Sequence, residues 1–292
     1  MAELSARESA EAKINLSLDV LGARDDGYHE ILSVMQSVSL SDELIIRLVP
    51  GSGAAADAPG LPRGEGNTAV RAALAFFKAA GIAGFRAEIA IEKRIPAAAG
   101  LGGGSADAAA VLRALNRLTG THFPDDKLRE IAAGVGSDVP FCVGGGTAIA
   151  RGRGEALSPL PPLPRCFAVI AKPPFTLSTE EMYRESGLAS PRARPDTDGL
   201  VSAIRVGDLR AASRRVLNVF EDTLPPDIRA EIFRIKNRFS ELGSLAASMT
   251  GTGSAVFALF DSEGAADAAL SAVSRELREC YPAVPTRGAY DA

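Results

Sequence analysis

Residues 95 to 119 read IPAAAGLGGGSADAAAVLRALNRLT, a glycine run that passes without interruption into an amphipathic helix. Gly100, Gly102, Gly103 and Gly104 carry no Cβ, so their backbone can take positive φ and let a bulky anion come close to the amides. Behind them Ala108, Val111, Leu112, Leu115 and Leu118 recur at helical spacing, Ser105 and Asp107 suit an N-cap or first turn, and Gly120 suits the C-cap. The loop therefore sits at a helix N-terminus, where unsatisfied N–H groups and the positive end of the dipole favour negative charge. Glycine runs also mark tight turns without a ligand, so spacing alone leaves phosphate binding and a plain turn both open.

Two familiar phosphate loops do not fit. In the G-x-G-x-x-G pattern counted from Gly100, Ser105 stands where the third glycine belongs, and no Gly-Lys pair of the Walker type occurs in the chain. A protein-kinase reading lacks both H-R-D and D-F-G.

Upstream, AKINLSLDV (12–20) alternates apolar and polar residues and predicts a half-buried strand, with Lys13, Asn15, Ser17 and Asp19 on its polar face. Asp25, Asp26 and Gly27 signal a turn, with Tyr28 and His29 on its exit. A zinc-protease H-E-x-x-H fails there because Ser33 occupies the second histidine position. ELIIRLV (43–49) predicts a strand, PGSGAAADAPGLPRGEG (50–66) a Gly/Pro-rich excursion, residues 68–80 a helix, and FRAEIAIEKRI (85–95) a strand feeding the glycine loop. Strand, loop and helix is the setting a phosphate loop needs.

Downstream, Asp138 between a glycine-rich turn and Pro140 reads by default as a turn residue bonding its own backbone. Gly144, Gly145 and Gly146 introduce a strand, TAIARGRGE, and the composition breaks at SPLPPLPR (158–165), where a domain boundary is expected. Beyond it come a strand, CFAVIAKP; a mobile loop, ASPRARPDTD (189–198); a helix near 225–240; and Thr250, Gly251, Thr252 and Gly253 between two short strands. By itself the last stretch is a hairpin turn.

At 292 residues with 46% apolar and 23% charged content, the chain is long enough for two globular domains. No apolar run approaches a membrane span, and the first residues, MAELSARESAEAK, are charged where a signal peptide would be apolar, so a cytoplasmic location without membrane association is expected. Cys142, Cys166 and Cys280 are odd in number and lack any C-x-x-C, which argues against disulfides or a zinc site and for reduced packing residues. A net charge of −4 with 5% aromatics argues against a nucleic-acid surface and leaves room for a local basic pocket.

Pro96 to Ala109, PAAAGLGGGSADAA, resembles the second motif of the GHMP kinases, small-molecule kinases whose Gly/Ser-rich loop wraps the triphosphate of ATP. The resemblance implies ATP contacts along Pro96, Ala97, Ala98, Ala99, Gly100, Leu101, Gly102, Gly103, Gly104, Ser105 and Ala106. AKIN (12–15) looks like the first motif, whose lysine lies beside the acceptor hydroxyl and whose asparagine helps hold the substrate, implying those roles for Lys13 and Asn15. RDDGYHEI (24–31) is similar to the string of the cytidine-using branch of the family, in which the tyrosine stacks on cytosine and the histidine hydrogen-bonds it; these map onto Tyr28 and His29. GSDVPF (136–141) resembles the stretch whose aspartate faces the lysine and the acceptor hydroxyl, implying Asp138 as catalytic partner of Lys13. In PFTLSTEEMY, Thr179 and Tyr183 correspond by position to residues approaching the cytidine, with Tyr183 as a second aromatic wall. Thr250 to Gly253 resembles the third motif, which packs against the phosphate loop, and the family's N-D-L-E stands altered as Asn218-Val219-Phe220-Glu221.

The resemblance implies a two-domain α/β (α+β) GHMP kinase fold, with a ribosomal-protein-like N-terminal domain over 1–160 and a ferredoxin-like C-terminal domain over 161–292. It implies ATP and Mg²⁺ as co-substrate and cofactor, cytidine diphosphate methylerythritol phosphorylated at its 2-hydroxyl as substrate, no nucleic-acid partner, and a monomer or homodimer, and it assigns no residue of this chain as a metal ligand. Two alternatives stand beside it: a GHMP kinase for another small alcohol, such as mevalonate or homoserine, and a non-catalytic nucleotide or RNA binder.

Overall fold

The computed structural model describes residues 4–184 and 191–288. Its backbone is a long antiparallel ribbon, β1 (Leu4–Ala23) and β2 (His29–Pro50), turned at residues 24–28. The ladder shifts register between Glu11 and Ala12, between Asn15 and Ser17, and between Val20 and Gly22. Such irregularities bend a strand and re-aim its side chains. Ile14 and Leu16 accordingly enter one core, and Leu18 and Val20 the other. Lys13, Asn15, Ser17 and Asp19 are all buried as well. The strand expected to be half-buried is therefore covered on both faces: polar alternation here records buried hydrogen-bonding partners, not exposure to water.

β2 is long enough to serve two neighbours, pairing β4 (Phe85–Glu92) through residues 43–50 and β5 (Thr147–Arg151) through residues 33–36. β3 (Gly53–Asp57) adds a parallel edge beside β4, so the expected excursion over 50–66 contains a strand. Ala54 and Ala56 are small enough to tuck against the core, and the β4 ladder supplies their backbone partners, which a side-chain pattern cannot reveal.

α1 (Thr68–Ala80) forms as expected: the Asn67 side chain accepts a 2.9 Å bond from Ala69 N–H, and Gly81 closes the helix in the left-handed region. It packs with α2 (Gly103–Leu118), α3 (Asp125–Ala133) and α4 (Val139–Gly144) over the sheet, burying Phe76, Leu112, Leu115 and Phe141. β6 (Ala156–Pro159) ends this half, and the proline-rich stretch leads to β7 (Phe167–Lys172) in a second sheet.

That sheet has the order β11-β7-β10-β9, all antiparallel, with β9 (Ala246–Met249), β10 (Val256–Phe260) and β11 (Glu279–Ala283). α8 (Pro226–Glu241) and α9 (Glu263–Val273) complete the β-α-β-β-α-β succession of a ferredoxin-like unit. Between β7 and α8 the chain inserts α5 (Thr179–Arg184), α6 (Thr197–Arg205), α7 (Leu209–Ser213) and β8 (Leu217–Asn218), the last parallel to β1 at Ser17 and Leu18. Of the loop expected over 189–198, residues 189 and 190 lie outside the described residues, and residues 197 and 198 already belong to α6, capped by Asp196. The three cysteines are unbridged; Cys142 and Cys166 are buried, and burial pushes the Cys142 thiol up to about 12. Among the described residues no helix is long and apolar enough to cross a membrane.

Candidate active site

β4 leads into the glycine loop, and the loop into α2. Gly102, with φ of 71°, caps α2, and the first turn closes when Ala106 N–H donates to Gly102 O at 2.8 Å. The N–H groups of Gly103, Gly104 and Ser105 precede that bond and have no helical acceptor, which is the arrangement that receives phosphate. Ser105 is in the first turn, as expected, and Asp107 is not: it lies in the helix body. Only Gly100 and Gly102 of the four glycines have positive φ. All four are closely packed, Gly100 too closely for any side chain. A Cβ on Gly100 would run into the Thr250 carbonyl; one on Gly102 would lie 3.0 Å from Lys13 Cγ, on Gly103 3.1 Å from Ile95 Cγ2, and on Gly104 3.1 Å from Thr68 Oγ1. Around them Ala97 and Ala98 are exposed and Ala99, Leu101 and Ala106 buried, with Pro96 between the two conditions.

The Lys13 stem runs along Gly102, and Lys13 N–H donates to Leu101 O at 2.9 Å, so β1 holds the lysine directly against the loop. Its ammonium is 3.3 Å from Asp138 Oδ2 and donates to Asn15 Oδ1 at 2.8 Å. Lys13 is 4% exposed, whereas Asp138, at the N-cap of α4, keeps 33% of its side chain accessible. A buried ammonium beside a carboxylate with one open side can hold that carboxylate ionised while a ligand reaches it. Asn15 is the hub: Oδ1 also accepts from Gly251 N–H at 3.0 Å and Thr250 Oγ1 at 3.2 Å, and Nδ2 donates to Ser33 Oγ at 2.9 Å.

Thr250 to Gly253 backs onto the glycine loop as expected: Ala255 N–H donates to Ala99 O at 3.1 Å and Thr250 Oγ1 to Gly100 O at 3.3 Å. The altered Asn218–Glu221 stretch braces it. Asn218 Nδ2 donates to Met249 O and Gly251 O, both at 2.8 Å, and Glu221 accepts from Met249 N–H at 2.8 Å and pairs with Lys236.

The aromatic residues gather beside this centre. His29 and Tyr183 rings lie 5.1 Å apart at 30°, and Tyr183 meets Phe220 edge-on at 4.9 Å. Tyr28 is half exposed and carries the Arg153 guanidinium 4.6 Å from its ring centroid. The two expected aromatic walls thus have different partners, Tyr28 an arginine and Tyr183 a histidine. Thr179, at the start of α5, is exposed and shares a 3.1 Å hydroxyl contact with Thr252 of the third motif. Arg153 was missed in the sequence. Its turn docks on β2, Gly152 N–H donating to Glu30 Oε1 at 2.9 Å, and a Cβ on Gly154 would lie 3.7 Å from Asp138 Oδ1, so one turn touches both the aromatic cluster and the Lys13–Asp138 pair.

Equally unforeseen is the charge cluster behind the loop. Lys93 pairs with Asp42 and, at 2.9 Å, with Asp107 Oδ2; Asp42 also accepts from the N–H groups of Arg94 and Ile95. Asp107 Oδ1 is buried without a hydrogen bond, and burial, against the attraction of Lys93, pushes this carboxyl up to about 7.

The family model for the N-terminal domain of GHMP kinases matches residues 67–146, and that for the GHMP kinase C-terminal domain matches residues 200–279. A 4-diphosphocytidyl-2-C-methyl-D-erythritol kinase of Pelotomaculum thermopropionicum is 47% identical over 254 residues, covering 86% of this chain and 87% of the relative. The enzyme of that name from Acetivibrio thermocellus is 40% identical over 273 residues, 93% of this chain and 96% of its own length. Among solved structures, a 4-(cytidine 5'-diphospho)-2C-methyl-D-erythritol kinase superposes with a TM-score of 0.80 at 34% identity, covering 97% of this chain and all of that one. A homoserine kinase from Cytophaga hutchinsonii, at 21% identity, covers 99% of this chain and 96% of its own with a TM-score of 0.76, a likeness of fold.

Proposed function

Because the chain belongs to the GHMP kinases and, within them, to the family of the 4-diphosphocytidyl-2-C-methyl-D-erythritol kinases, we propose that its site transfers the γ-phosphoryl group of ATP to the 2-hydroxyl of 4-diphosphocytidyl-2-C-methyl-D-erythritol. The observation that carries the chemistry is the Lys13–Asp138 pair, 3.3 Å apart and laid against the glycine loop by Gly102. ATP rests its phosphates on the loop from Pro96 to Ala106, taking up the free amides of the first turn of α2. Asp138 orients the acceptor hydroxyl and receives its proton; Lys13 keeps Asp138 ionised and offsets negative charge on the group in flight. In a loose phosphoryl-transfer transition state such positioning and charge supply most of the catalysis.

Cytosine enters between the aromatic side chains, with Tyr28 as its platform, His29 as its hydrogen-bonding partner, and Tyr183 and Thr179 on the side of α5. Arg153 must leave the ring or remain on its far side when the base stacks. Asn15 has given its oxygen to the protein and retains one Nδ2 hydrogen for the substrate. A Mg²⁺ ion arriving with ATP would keep waters and phosphate oxygens among its ligands and would offset charge on the phosphates. The division of the chain near residue 160 fits this reading, with the loop and catalytic pair from the first part and Thr179, Tyr183 and the third motif from the second.

An ADP-release assay comparing the cytidylyl alcohol with mevalonate and homoserine tests the proposal. Turnover on the cytidylyl alcohol alone is expected. Preference for either other alcohol overturns the substrate assignment, and failure on all three overturns the kinase reading.

A further inference from the structure

Away from the active site lies a cleft of about 400 Å³ lined by Arg194, Asp196, Arg214, Arg215, Val216 and Leu217. It sits where β8 joins the first sheet. On β1, Leu18 and Val20 face the core against which Tyr183 packs, and Asp19 between them faces the opposite side. There Asp19 Oδ1 accepts from Arg194 at 2.6 Å, and Arg194 also donates to Val20 O at 3.2 Å. The cleft and the aromatic cluster are therefore on opposite faces of one strand.

Its charge is unbalanced. Arg215 is fixed by Asp196 at 2.8 Å and by Ala211 O at 2.8 Å; Asp196 in turn caps α6 through Gly199 N–H, and its carboxyl is held below the usual range by Arg215. Arg194 is anchored on Asp19. Arg214 is exposed, and its side chain makes no hydrogen bond or ion pair among the described residues. The hydroxyls of Ser213 and Thr197, next in the chain to Arg214 and Asp196, are buried and unbonded. Three guanidiniums thus line a concavity beside two carboxylates, Asp196 in its wall and Asp19 behind Arg194, which leaves the positive charge of Arg214 over in a chain of net charge −4. Guanidinium forks match phosphate oxygens in geometry and charge, and a concave low-dielectric wall focuses their field. The volume is that of a small-ligand site.

We propose that this cleft is a second anion site, separate from the glycine loop, that takes a phosphate or diphosphate group with Arg194, Arg214 and Arg215 as its donors. Leu217 in its wall is followed by Asn218, which holds the Met249–Gly251 carbonyls, so an occupied cleft adjoins the strand that braces the third motif.

The test is calorimetric titration of inorganic diphosphate, and separately inorganic phosphate, into the full chain pre-saturated with a non-hydrolysable ATP analogue that fills the glycine loop. One further binding event per chain is expected, weakened at least tenfold in Arg214→Glu while the KM for ATP stays at the wild-type value. Arg214→Gln, expected to weaken it less, replaces the charge reversal should that variant not fold. Binding that persists unchanged in both variants, or that sodium chloride at equal ionic strength abolishes, overturns the site, as does the absence of any event in the wild type. If the analogue itself does not bind, the kinase reading fails and the diphosphate titration is read directly against the same variants.

Discussion

Lys13 and Asp138 differ in what they can lose. Removing the buried ammonium leaves a carboxylate that water can still reach, whereas neutralising Asp138 leaves an ammonium 4% exposed with, among the described residues, only the Asn15 amide oxygen as partner. Asp138→Asn should reduce kcat by roughly 10²–10⁴-fold, the usual worth of a positioned acid–base group, with little change in either KM. Lys13→Met should act on the same step, and in steady-state kinetics the double variant should be little worse than the worse single one, since members of one unit do not add. A kcat for Asp138→Asn within a few-fold of wild type would remove it from the mechanism. Tyr28 is tested on binding instead. Base–aromatic stacking is worth about 1–3 kcal/mol, so Tyr28→Ala should weaken the cytidylyl substrate about 5- to 150-fold in calorimetry while ATP binds as before. Weakened ATP with an unchanged cytidylyl affinity would assign Tyr28 to the other pocket.

At the scale of elements, what could be read locally was read. α1 announced itself because its apolar repeat, its Asn67 cap and its Gly81 stop are all contiguous in the chain. β3 did not, because GAAAD has no alternation and becomes a strand only through the β4 ladder. Arg153 carries no signal in the sequence, and Asp107 reads there as a first-turn residue, for the same reason: the partners that give them meaning, the Tyr28 ring for one and Lys93 with Asp42 for the other, arrive through tertiary folding. The roles proposed for Lys13 and Asp138 are legible only through a resemblance to a family, since a strand lysine and a turn aspartate are ordinarily solvated. The Asp107 cluster has a pH signature. Its carboxyl is raised from 3.8 to about 7 in the folded protein, so between those values the folded state binds more protons than the unfolded one. Stability contributed by this group therefore falls as pH rises through that window. Asp107→Asn should melt higher than wild type at pH 8, with the difference shrinking towards pH 5. A difference in melting temperature independent of pH would mean that Asp107 is ionised throughout.

Over the whole molecule, the glycine loop is led into by the first sheet but backed by a hairpin of the second, and Asn218 is one of the residues that tie the two. It stands on β8, the short strand that joins β1 at Ser17 and Leu18, and its amide holds the carbonyls of Met249 and Gly251 while Phe220 N–H donates to its Oδ1 at 3.0 Å. The hairpin so held presses the Thr250 carbonyl against Gly100 and ties Ala255 to Ala99. Asn218→Ala leaves two carbonyls without their donors at a site 3% exposed, at about 1–3 kcal/mol for each one that stays buried and unpaired. Melting should fall by several degrees. The kinetic consequence follows from what the loosened hairpin touches: the glycine loop directly, and on the substrate side Asn15 and Thr179, while Tyr28 and His29 stand at the far end of the ribbon near its turn. KM for ATP should rise several-fold and KM for the cytidylyl alcohol by a smaller factor. If the variant melts lower yet keeps both KM values, the hairpin only joins the two sheets, and the glycine loop holds its shape without it.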